Sequence, residues 1–105
     1  MKVDFSKELI DLDGKTVDSS ATDKTPATVR KVVCGALIAS YPDEANLNPE
    51  EKVKRWNLAL RVQKELDPID FKTDEIALMK KLVGKAYGPM IVGQVWEVLE
   101  NGISE

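Results

Sequence analysis

The sequence predicts an α+β fold, mostly helical: about four helices with a small N-terminal β-hairpin and a candidate third short strand. Apolar residues recur at helical spacing in successive blocks from Thr25 onward. Before Thr25 they stand two apart around an Asp13-Gly14 pair instead. Prolines and short polar cap residues mark the block edges. The 105 residues fit one domain with a modest core, hairpin and loop over 1–24 and helical core over 25–105.

Val3, Phe5, Leu9, Ile10, Leu12 and Val17 flank the Asp13-Gly14 turn of the hairpin. "DSSATDK" reads as a polar loop. The first helix is predicted from Thr25, with Pro26 in its first turn and Val29, Val32, Val33, Ala36 and Leu37 on one face. Pro42 ends it. The second helix has Asn48 as cap, Pro49 as first residue and Glu51 three residues past the cap. Its predicted core stripe is Val53, Trp56, Leu60 and Gln63, with Ala59 and Leu66 beside it and Leu58 and Val62 widening the face.

Ile69 and Phe71 alternate with polar neighbours, so a short strand is predicted there, pairing with the N-terminal segment. Thr73 is expected to cap the third helix, whose stripe is Ile76, Met79, Leu82, Val83 and Ala86. The fourth starts near Pro89, buries Val92, Val95, Trp96 and Leu99, and ends at Asn101-Gly102. Both Trp56 and Trp96 are expected in the core.

Composition excludes much chemistry. There is no histidine, which removes the usual general base and the commonest metal ligand. With one cysteine, neither a Cys/His zinc site nor an internal disulfide is available. Cys34 lies in the apolar run "VVCGALIA" and reads as a buried, inert thiol. The net charge of −3 argues against a dedicated nucleic-acid binder. The charged N-terminus and short apolar runs predict neither a signal peptide nor a membrane span, hence a cytoplasmic protein.

The stretch "LVGKAYGPMIVGQVW" (82–96) has features of four motifs. A phosphate loop fails because Ala86 follows Gly84-Lys85, where a hydroxyl is required, and Met79 stands where glycine is required. Gly84 and Gly88 have membrane-helix spacing, but Lys80, Lys81 and Lys85 crowd it. A DNA-reading fourth helix would need cations, and it carries Glu97 and Glu100 instead. What remains is a corner between two helices. It demands glycine at Gly88 if φ is positive there, and Gly93 would let the fourth helix approach a neighbour.

An EF-hand starting at Asp11 would need an oxygen ligand and a glycine where Lys15 and Thr16 stand. The acid pairs Asp43-Glu44 and Glu50-Glu51 read as solvated caps. Candidate interaction residues lie in the second helix: Lys54, Arg55, Arg61 and Lys64 around Trp56. They make a basic face for nucleic acid or an acidic partner, or charges solvated outside a core helix.

Three stretches, "LIDLDGK", "NLNPEEKVKRWNLALRVQ" and "FKTDEIALMKKLVGKAYGPMIVGQVWEVLE", resemble in their order small uncharacterised proteins of tailed bacteriophages and prophages. The resemblance implies a bacterial-host cytoplasm and no catalysis. It implies binding of a phage or host protein, or of itself, in virion (tail or head) assembly or in redirecting a host factor. The expectation is therefore a non-enzymatic interaction module without cofactor or metal.

Overall fold

The computed structural model describes residues 1–18 and 25–102. In order they form β1 (Lys2–Val3), α1 (Val29–Ile38), a 3-10 turn (Pro42–Glu44), α2 (Pro49–Lys64), β2 (Ile69–Asp70), α3 (Thr73–Ala86) and α4 (Pro89–Asn101). The class is α+β and mostly helical, as the periodicities require. Helix α1 is central and packs on α2, α3 and α4, while α4 also packs on α3. No helix among the described residues is long and apolar enough to cross a membrane.

The N-terminal segment departs from a regular hairpin. The Asp13-Gly14 turn forms where expected, with Gly14 at φ +81° and the Asp11 carboxylate accepting from the amides of Asp13 and Lys15. Its two arms pair around an isolated Ile10–Thr16 bridge, with the Asp11 amide donating to the Lys15 carbonyl at 2.8 Å. Beyond it, three chain segments close a ring of backbone bonds. The Leu9 amide donates to Ala27, Ala27 to Val17, and Val17 back to Leu9. The two-stranded sheet is antiparallel β1 with β2, pairing Lys2 with Asp70 and Val3 with Ile69. The strand predicted around Ile69 is therefore present and joins the N-terminal segment. Gln94 on α4 holds this segment too, exchanging hydrogen bonds of 2.9 and 2.8 Å with the backbone of Ile10.

Helix starts follow local capping, with two corrections. Helix α1 begins at Val29 and not at Thr25, because the Pro26–Ala27 stretch is drawn into the bridges to Asp18 and Val17. Thr28 supplies the cap, its hydroxyl accepting from the Lys31 amide at 3.2 Å. Helix α3 begins one residue earlier in its cap than expected: Lys72 is the cap position and Thr73 the first helical residue. The Glu75 carboxylate accepts from the Lys72 amide at 2.8 Å, which satisfies one of the orphan donors. Helix α2 starts as expected, Asn48 accepting from the Glu50 amide at 2.7 Å with Pro49 in the first turn. The "DSSATDK" loop, apart from Asp18, lies outside the described residues.

The core gathers Val3, Phe5 and Leu9 with the inner faces of all four helices. Phe5 and Phe71 meet edge to face, 5.8 Å between ring centroids. Asp67 ties this region together: it accepts from the Phe5 amide at 3.0 Å and pairs with Arg30. Arg30 also donates to the Val62 carbonyl at the end of α2. The α3 stripe is buried at Ile76, Met79, Leu82 and Val83, whereas Ala86 is exposed. On α4, Val95 and Leu99 are buried and Val92 is half-buried.

The corner is built differently from the expectation on two counts. Gly88 has φ −87°, and an added Cβ would meet nothing. Gly93 is exposed with open space around it as well. The close approach of α3 and α4 occurs at Gly84, where a Cβ would lie 3.5 Å from the Trp96 ring. Trp96 is half-buried there, its indole N–H donating to the Lys80 carbonyl at 3.0 Å and its ring lying under the Lys80 ammonium.

Besides Gly14 in the turn, the glycine that the backbone requires is Gly102. It has φ +58°, and an added Cβ would sit 2.8 Å from the Lys2 carbonyl oxygen. Gly102→Ala is therefore expected to lower stability by about 1 kcal/mol or more, and Gly88→Val to leave it nearly unchanged. Thermal melts of the two variants check this pair. Equal losses would show that positive φ and contact with β1 do not set the requirement.

Candidate protein-interaction site

The five candidate residues do not form one surface. Helix α2 buries Arg55, Leu58, Ala59 and Val62. That buried line lies roughly a third of a turn from the predicted stripe, as 100° per residue requires. The predicted stripe faces outward instead: Val53 is 58% exposed, Trp56 55%, and Leu60 is half-buried. Trp56 is thus not a core residue. Trp96 packs against the core from its edge.

Arg55 is the buried surprise, 5% exposed. The turn at Pro42–Glu44 places Glu44 opposite it, and the two make paired hydrogen bonds of 2.8 Å each. A fork-to-fork pair of this kind is strong and directional. Glu51 lies 3.6 Å from the Arg55 Nε, one turn earlier on the same helix. Lys85 approaches Glu44 at 3.4 Å and Asp43 at 2.9 Å. The Tyr41 hydroxyl donates within the same group, to Ala36 at 2.7 Å. Arg55 hydrogen bonding, with Lys85 nearby, holds the Glu44 carboxyl at about 2. Glu44 is therefore ionised at neutral pH and has no proton to donate there.

Arg61 is also engaged. It pairs with Glu65 at 2.7 Å, donates to the Asp70 carbonyl at 2.8 Å and covers the Phe71 ring at 4.4 Å. Lys54 and Lys64 remain exposed, with no ion pair among the described residues. Ten residues separate them, about 15 Å along the helix, and with Arg55 and Arg61 engaged the basic face does not assemble into one patch. This arrangement counts against the nucleic-acid reading, which needs several free cations tracking a backbone.

One neighbour escaped sequence reasoning. Ile38, 58% exposed at the end of α1, faces Trp56 across a cleft of about 350 Å³. Lys52 lines the same cleft, whose wall carries the Glu44–Arg55 pair. The signal for this site was the Val53–Trp56–Leu60 spacing itself, which periodicity alone assigns to a core.

Cys34 is half-buried, its thiol pushed up by burial and turned toward the Ala59 carbonyl at 3.6 Å. A raised thiol is a poor nucleophile at neutral pH. Among the described residues no group of three metal-ligating side chains comes together.

No protein-family model, no curated protein and no solved structure matches the chain. The site must therefore be read from its own geometry.

Proposed function

We propose that this protein is a non-enzymatic interaction module that binds another polypeptide through the outer face of α2 (Pro49–Lys64). One observation carries the reading. Trp56 leaves more than half its surface in water, between exposed Val53 and half-buried Leu60, while Arg55 and Arg61 on the same helix are engaged within the chain. Tryptophan is the residue type most enriched among interface anchors. The resemblance of three stretches to phage and prophage proteins supports a phage or host protein as the partner class, with virion assembly as the setting.

Trp56→Ala is expected to leave stability within about 1 kcal/mol of the parent, since an exposed side chain has little burial to lose. Binding should weaken roughly tenfold or more. Retention of bound protein on immobilised parent and variant chains, from lysate and from the purified chain itself, measures the second effect. No retention by the parent, its own copies included, would sink the reading. Equal retention by the variant would remove Trp56 from it.

A further inference from the structure

Helix α2 carries a seam suited to a second helix. Pro49, Val53, Trp56, Leu60 and Gln63 follow one another at alternating spacings of four and three, the pattern of a coiled-coil contact line. The middle three are the exposed or half-buried apolar residues of the site. Along the edge of this seam remote from α1 stand Glu50, Asn57 and Lys64, each seven residues from the next and all exposed. The Glu50 and Lys64 side chains have no ion-pair partner among the described residues.

That order of charges is self-complementary in one orientation only. If a second α2 runs antiparallel about a two-fold axis at Asn57, Glu50 of each copy stands level with Lys64 of the other. The two Asn57 amides meet on the axis, and Val53 of each copy faces the Leu60 region of the other across the Trp56 rings. A parallel two-fold pair would put the two edges on opposite sides of the seam and bring no Glu50 near a Lys64. We propose that the outer face of α2 joins a second copy of this chain as an antiparallel, two-fold helix pair centred on Trp56 and Asn57. The contact is isologous, so it closes at two copies. A face on a helix about 24 Å long buries less than a standard interface, so the dimer is weak and reversible. This inference rests on the reading of α2 as the contact surface and names its occupant.

Sedimentation equilibrium of the full chain, from about 10 µM to about 1 mM, tests it. A monomer–dimer equilibrium is expected. Glu50→Lys or Lys64→Glu alone should weaken it roughly tenfold, because the two-fold axis makes each change act twice. The double exchange should restore it to within a few-fold. In a Cys34→Ser background, Asn57→Cys should yield a disulfide-linked dimer on oxidation, well beyond Glu97→Cys on α4. Circular dichroism melts confirm that each variant folds. A monomer at every concentration, a dimer indifferent to both single exchanges, or cross-linking no better than the α4 control would overturn the inference. Retention of a different protein through Trp56 alongside a strictly monomeric chain would leave the interaction module standing and remove only the second copy.

Discussion

Glu44→Gln is expected to destabilise the domain by about 2–3 kcal/mol, roughly 10 °C or more in melting temperature for a chain of this size. The substitution keeps the shape and removes the charge that neutralises Arg55, which is 5% exposed. An unpaired buried guanidinium is costly because it has lost its water and gained no counter-charge. Glu51, 3.6 Å from the Nε, is too distant to replace a carboxylate bonded at 2.8 Å to both terminal nitrogens. Arg55→Met should cost less. It leaves Glu44 beside Lys85 at 3.4 Å, at the edge of the cleft where water still reaches it. Chemical denaturation of both variants and of the double variant gives the coupling directly. Equal losses would show that burial of the cation is not the dominant cost.

The same pair predicts the acid limb of the stability curve. The Glu44 carboxyl is held at about 2, against an ordinary 4.5, chiefly by its hydrogen bonds from Arg55. A folded value below the unfolded one favours folding above the unfolded value. That contribution is complete above about 4.5 and is lost as pH falls toward about 2. The parent melting temperature should therefore fall more steeply across this window than that of Glu44→Gln. Parallel acid limbs would show that Glu44 is no better stabilised folded than unfolded.

Phe71→Ala should be the most damaging single truncation, about 3–4 kcal/mol. Phe71 is 2% exposed, edge-on to Phe5 and covered on one face by the Arg61 guanidinium. Its loss opens a cavity where β2, α2 and the N-terminal segment converge, and few neighbours there are free to collapse. The amide of Phe71 bonds to the Met1 carbonyl, so the chain cannot shift without losing that bond as well. Phe71→Leu keeps most of the volume and should cost less than about 1.5 kcal/mol. Urea denaturation of the two variants separates cavity cost from simple loss of area. Similar midpoints for both would show that the site relaxes freely.

The helices were legible because their signals are local. Caps at Asn48 and prolines at Pro49 and Pro89 act within one turn, and the Ile76–Met79–Val83 spacing reports a face directly. The short strand at Ile69 was legible from alternation, and its pairing with the N-terminal segment followed. Helix α1 starts later than local propensity places it, because the bridges that hold Pro26 and Ala27 extended come from Val17 and Asp18. No propensity at Pro26 records those partners. Likewise, nothing near Gly102 announces the Lys2 carbonyl that makes it necessary.

The candidate site shows the same division more sharply. The amino-acid sequence by itself determined that α2 is a helix, where it starts, and that it carries more apolar surface than one face needs. It also determined the absence of histidine and of any cysteine pair, and so the chemistry the chain forgoes. Only the tertiary structure decided which face of α2 turns inward. Periodicity ranks faces by hydrophobicity and assigned Trp56 to the core. Yet Glu44, eleven residues away in sequence, makes Arg55 cheap enough to bury, and Leu58, Ala59 and Val62 rotate inward with it. Burial of a charge depends on a counter-charge brought near by the turn at Pro42–Glu44. That is a property of three-dimensional proximity, and it is what leaves Trp56 at the surface.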